Sequence, residues 1–132
     1  TREGLLKWMR SMVYDPASLT DEFVEMRWQS ATDPVALAGI RKMYNYAMLD
    51  NMRERMYGSA AGLDMLTKIQ APTLLTFGRD DRVTPLDAML APMRLIKQCE
   101  VHIFYNCGHW AMIERKDEFE SVVVPYFLRD IQ

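Results

Sequence analysis

Pro72-Thr73-Leu74-Leu75-Thr76-Phe77-Gly78-Arg79-Asp80-Asp81-Arg82-Val83-Thr84-Pro85 decides the fold class of this chain. Its first half is a short, continuous apolar run rich in strand formers, the pattern of a parallel strand buried on both faces. Its second half, Gly78 to Pro85, is a polar loop closed by turn formers. A helical stretch follows from Leu86 to about Lys97, with Pro92 expected to kink or break it. Val101-His102-Ile103-Phe104-Tyr105 reads as a second strand and Asn106 to Trp110 as a second loop. The last helix runs from about Lys116 to Asp130. Phe119, Val122, Val123, Tyr126 and Phe127 share one face of it, and Pro125 bends it. Strand, helix, strand, helix is a βαβα unit, and its natural sheet is parallel.

Upstream the grammar is different. Residues 1–66 read as helices alone, and residues 67–132 as the α/β part. Leu5, Leu6, Met9, Met12 and Val13 recur at helical spacing until Tyr14-Asp15-Pro16 breaks the pattern. Ser18 or Thr20 can cap a second helix, running to about Ala31. Asp33-Pro34 supplies an N-cap and a first helical residue for a third. Leu37, Ile40, Tyr44 and Ala47 make its stripe. That helix is expected to run to Tyr57 and end in Gly58-Ser59-Ala60-Ala61-Gly62. The sequence holds 11 Met. Eight precede Thr67: Met9, Met12, Met26, Met43, Met48, Met52, Met56 and Met65. They suit a helical core rich in this adaptable side chain, or a helical lid over an apolar pocket.

Composition narrows the function classes. The formal charge of −2 argues for neither nucleic acid nor an anionic membrane surface. No apolar run approaches the roughly 18 residues of a membrane span. Two cysteines, Cys99 and Cys107, make no disulfide framework, so a cytoplasmic setting is the default. Thr1-Arg2-Glu3-Gly4 carries no signal pattern and reads as an entry into mid-protein sequence.

In open parallel sheets, catalytic groups gather past the carboxyl ends of the strands. Asp81 follows the first strand and His109 the next, so the two loops should lie side by side. An Asp in such a loop is usually a turn former, and a lone His is usually structural. Together at neighbouring strand ends they suggest an acid orienting a general base. Cys107 reads as a buried structural thiol rather than a nucleophile. A metal site on Asp80, Asp81, His102 and His109 is disfavoured. His102 alternates with Val101 and Ile103 and faces the other side of its strand, and the set lacks ligand spacing.

Gly78-x-x-Asp81-x-x-x-Pro85 followed by Gly108-His109 is similar to the closing third of α/β-hydrolases. The strings Thr76-Phe77-Gly78-Arg79-Asp80-Asp81-Arg82, Pro85-Leu86-Asp87, Cys107-Gly108-His109-Trp110 and Asp117-Glu118-Phe119 resemble the meta-cleavage product hydrolases. These enzymes break a carbon–carbon bond in 2-hydroxy-6-oxo-hexa-2,4-dienoates. The resemblance implies that Asp81 is the triad acid, His109 the triad base and Trp110 a pocket wall, with Asp80 outside the triad. Ser18-Leu19-Thr20 leading to Arg27-Trp28 resembles the lid segment whose arginine meets the dienoate. On spacing alone Arg27 falls within or beside the apolar face of its helix. There it either snorkels to water or meets an anion. No cofactor and no metal are implied.

No Gly-x-Ser-x-Gly occurs. Ser11, Ser18, Ser30, Ser59 and Ser121 all lack that frame, so the nucleophile is expected outside this sequence. In the resembled family it lies N-terminal to the lid. The implied partners are a dienoate and that missing half, and two strands too few for a parallel sheet suggest a homo-oligomer. Alternatives are an esterase or epoxide hydrolase on the same fold, or a non-catalytic truncated product serving as an interaction module.

Overall fold

The computed structural model describes residues 1–44, 50 and 60–129. Helix α1 spans Arg2–Met12, with the Thr1 hydroxyl accepting from the Gly4 amide. It ends where Val13 turns extended. A 3₁₀ turn follows at Pro16–Ser18, capped by Asp15. Helix α2, Asp21–Thr32, is capped by Thr20 rather than Ser18: the Phe23 amide donates to the Thr20 hydroxyl at 3.2 Å. Asp33 caps α3, Pro34–Met43, through the Ala36 amide at 2.7 Å. Tyr44 leaves the helical conformation there, before the expected end at Tyr57. Ala47 and the rest of that expected stretch lie outside the described residues. Ile40 and Tyr44 are exposed, so within the described residues this stripe faces no core. Helix α4, Ala60–Thr67, begins inside the small-residue stretch expected to end a helix. Its two leading alanines are the best helix formers and outweigh one glycine.

Strands β1 (Thr73–Gly78) and β2 (Cys99–Phe104) pair in parallel, with Thr73 beside Cys99 and Gly78 beside Phe104. The second strand starts two residues earlier and ends one earlier than its apolar run suggests, leaving Tyr105 exposed. Up to Phe77, β1 is half-buried rather than fully buried. Among the described residues it has one strand neighbour, so one of its edges is bare. A 3₁₀ turn at Leu86–Met89 leads into α5, Leu90–Leu95. The break falls before Pro92, not at it. A proline has no amide to donate and blocks the carbonyl four residues back, so it settles in the first turn of α5.

A short helix absent from the sequence reading, α6, covers Ala111–Glu114, and α7 covers Lys116–Phe127 with Pro125 inside it. Phe119 and Val122 pack on a core of Phe104, Cys107 and Ala111, and Tyr126 is buried. Phe127 points away from this face and is 76% exposed. The methionines divide as well. Met9 and Met12 are buried, Met26, Met43 and Met65 are exposed, and Met48, Met52 and Met56 lie outside the described residues. Among the described residues no helix is long and apolar enough to cross a membrane.

Candidate active site

The loops after β1 and β2 are built into each other. Arg79 donates its amide to the Phe104 carbonyl (2.8 Å) and Asp80 to that of Cys107 (2.9 Å). The Arg79 guanidinium reaches the Asn106 side-chain oxygen at 3.0 Å. Asn106 sits at φ 47°, a left-handed conformation that asparagine tolerates better than most residues. Gly78 is required by contact rather than by φ: a Cβ there would lie 1.9 Å from the Gly108 carbonyl oxygen.

This interlock sets Asp81 against His109. Asp81 Oδ2 lies 2.8 Å from His109 Nδ1. Asp81 Oδ1 accepts from the amides of Val83 at 2.7 Å and Thr84 at 3.0 Å. The carboxylate is nearly buried, with 5% of the side chain exposed, while the imidazole keeps 35%. Burial pushes the Asp81 carboxyl up. The hydrogen bonds from His109, Thr84 and Val83, with the imidazole's charge, outweigh it and hold the group below its ordinary 3.8. An ionised acid on Nδ1 leaves Nε2 as the free ring nitrogen, the arrangement of a general base. A cavity of about 150 Å³ opens beside the pair, lined by Thr76, Phe77, Asp81, His109, Met112 and Phe119. A larger cavity of about 370 Å³ lies at the opposite end of the sheet, beside Pro72, Cys99 and Arg129. It holds none of the candidate groups, so the smaller one is the relevant space.

Of the other sequence-derived candidates, Trp110, Arg27 and Trp28 do not line the cavity beside the pair. Trp110 contacts the helical half edge-on, with ring centroids 5.6 Å from Trp8 and 5.9 Å from Phe23. Arg27 stands one turn beyond Phe23 on α2. It is half-buried beside the buried Val24, and its Nε is buried with no hydrogen-bond partner. Trp28 is half-buried next to it. Cys107 is fully buried, and burial, then the Glu114 charge, push its thiol up to about 12. Such a thiol is no nucleophile at neutral pH, in line with the structural reading. His102 stacks at 4.5 Å on Phe104, away from the dyad. Among the described residues no group of three or more His, Cys, Asp or Glu is placed to hold a metal ion.

Sequence reasoning missed Glu114. Its Oε1 accepts from the Gly108 amide at 2.7 Å, and its Oε2 from the amides of Tyr14 at 2.6 Å and Asp15 at 3.2 Å. The His109 amide donates to the Met12 carbonyl at 2.6 Å. The only available signal was an acid four residues after Trp110, and that position became meaningful only once α6 turned it back.

The family model for the alpha/beta hydrolase fold matches residues 6–116. A 2-hydroxy-6-oxononadienedioate/2-hydroxy-6-oxononatrienedioate hydrolase of Pseudomonas putida is 32% identical over 130 residues, covering 96% of this chain and 42% of that protein. One from Cupriavidus pinatubonensis is 35% identical, covering 94% of this chain and 40% of its own length. The solved meta-cleavage product hydrolase of Pseudomonas fluorescens IP01 superposes with a TM-score of 0.79 at 26% identity, over 96% of this chain and 45% of that one. A serine hydrolase involved in carbazole degradation gives 0.78 at 31% identity, over 98% of this chain and 48% of that one. The chain thus spans about two fifths of the length of these curated relatives.

Proposed function

The chain belongs to the α/β-hydrolase fold family, and from that premise we propose that it supplies the acid and base of a carbon–carbon bond hydrolase acting on a 2-hydroxy-6-oxo-dienoate. The observation that carries the reading is the 2.8 Å contact between Asp81 and His109 at the ends of two adjacent parallel strands. The named substrates of the relatives give it its chemistry. In this reading the dienol first shifts to its keto tautomer. His109 Nε2 then takes the proton of a hydroxyl nucleophile as it adds to the 6-oxo carbon. The adduct collapses with cleavage of the C5–C6 bond and return of that proton to C5 of the departing fragment, and water releases the acyl group, while Asp81 holds the imidazole in the productive tautomer. Residues 1–66 act as a helical lid over the 67–132 part.

The sequence carries no Gly-x-Ser-x-Gly, so the nucleophile belongs to polypeptide other than residues 1–132. Those residues alone should not turn over. The bare edge of β1 supports such a covering partner. Without that partner, self-association is the expected result by light scattering.

Arg27 supports the anionic part of the substrate. A buried, unpartnered guanidinium nitrogen is costly unless an anion completes it. A dienoate carboxylate matches the planar fork with two parallel bonds. Trp28 and Trp110 would wall the same space. The test is decay of a coloured dienoate by a complete protein containing this segment. Asp81→Asn should cost about 10⁴ in rate, the magnitude the same change has in serine proteases. Arg27→Ala and Arg27→Lys should each cost about 2 kcal/mol or more in kcat/KM. A loss under tenfold for Asp81→Asn rejects the dyad. An unchanged kcat/KM for Arg27→Ala removes the carboxylate contact.

A further inference from the structure

We propose that Glu114 is a positioning residue for His109, clamping the histidine loop to the exit of the first helix so that the imidazole meets Asp81. The inference rests on the dyad reading above and goes beyond it. Both carboxylate oxygens are committed, and all three partners are backbone amides rather than a cation. A carboxylate on a cation at the surface is a weak contact. A carboxylate shared by three amides is a set of charge-assisted bonds with fixed directions. Tyr14 and Asp15 lie just past the end of α1, some hundred residues from Glu114 in sequence. Gly108 lies immediately before the histidine.

The clamp therefore grips the backbone on one side of the imidazole, and the bond from the His109 amide to the Met12 carbonyl grips it at the residue itself. Gly108 lets the two segments close. A Cβ there would stand 2.6 Å from the Met12 carbonyl oxygen and 2.8 Å from the Tyr14 amide. With its backbone held at these points and Nδ1 held by Asp81, the ring has one orientation left. Loss of the clamp frees Gly108 and the α1 exit from each other, leaving Asp81, the Met12 bond and the loop interlock as the remaining restraints on the histidine. The clamp also demands a carboxylate. Glutamine has one accepting oxygen, so whichever way its amide turns, an NH₂ faces either Gly108 or the Tyr14–Asp15 pair.

The test uses nitrogen-edited NMR of the imidazole in chain 1–132, following the Nδ1 proton that His109 shares with Asp81. His102 serves as internal reference, and Asp81→Asn as the control that abolishes the signal. Glu114→Ala and Glu114→Gln should keep the amide shifts of β1 and α7. They should raise solvent exchange of the Nδ1 proton by about tenfold or more, the factor one charge-assisted bond carries. A Glu114→Gln chain that keeps the wild-type exchange rate overturns the proposal. If both variants unfold, amide exchange in the unaltered chain decides. Gly108, Tyr14 and Asp15 should then exchange as one unit with the His109 amide, and free exchange at Tyr14 and Asp15 beside a protected Gly108 overturns it. Neither measurement needs turnover, so a failure here is distinct from a failure of the dienoate assay.

Discussion

The two halves of the molecule use glycine in opposite ways. In the strand half, Gly78 and Gly108 stand where backbones touch, and any side chain would strike a carbonyl or an amide. In the helical half, Gly39 lies inside α3 with nothing within 4 Å of where a Cβ would be. The strand half is assembled from contacts with no spare volume, centred on the dyad. The helices are held by their caps, by one patch around Met9, Met12, Val13 and Val24, the buried apolar residues of that region, and by the seam to the histidine loop. Past that patch, Val35 at 81% exposure and Met43 at 58% are largely open among the described residues. The contrast locates precision where the chemistry sits and leaves the remainder to local helix rules.

Three measurements press on this contrast. The largest effect belongs to Gly78→Ala. Placing a methyl 1.9 Å from the Gly108 oxygen must spread the two loops, at a cost of about 3 kcal/mol or more in stability. Urea unfolding reads it, and a loss below 1 kcal/mol would mean that the interlock yields easily. The next concerns charge. Asp81 is held below its ordinary value of 3.8, so the native state binds its proton less readily than the unfolded chain. Its contribution is complete above pH 3.8 and fades as pH falls below it through the folded value. Asp81→Asn should therefore destabilise at pH 7 and do progressively less harm as the pH falls below 3.8, by thermal melts at each pH. A penalty independent of pH would assign the loss to shape rather than charge. The smallest effect has the opposite sign. Gly39→Ala should stabilise by up to about 1 kcal/mol, because α3 gains a better helix former without a collision.

The sequence was readable where local rules act. Asp33 was legible as a cap, and Thr20 as one of two candidates beside Ser18, because hydroxyl and carboxylate acceptors on orphan amides are a property of a few adjacent residues. The parallel pairing of β1 and β2 followed from an apolar run, a crossover helix and a second run. The meeting of Asp81 with His109 followed from that topology and from the resemblance of the two loops to α/β-hydrolases. Positions fixed by distant partners were not legible. Pro92 looked like a helix breaker but occupies a first turn, because the chain can adopt a 3₁₀ turn ahead of it. Phe127 fitted the apolar face by spacing, yet the helix ends at that residue and turns it outward. Glu114 looked like any surface acid because its amide partners Tyr14 and Asp15 are about a hundred residues away.

That separation has a kinetic side. Asp81 and His109 are 28 residues apart, whereas Tyr14 and Glu114 are 100 apart. Closing the longer loop costs about 1 kcal/mol more in chain entropy, before any of its contacts repay it. The strand pair and its two loops can thus form early, with the acid and the histidine already neighbours. The seam between Met12–Asp15 and Gly108–Glu114 closes afterwards, since contacts of long sequence separation form slowly. During synthesis α1 is made well before the histidine loop, and its seam with that loop cannot close until the polypeptide has grown past Glu114. Through that interval the Met12 carbonyl and the Tyr14 and Asp15 amides lack their partners on the histidine loop, and a chaperone or a neighbouring nascent chain would meet that stretch before the loop does.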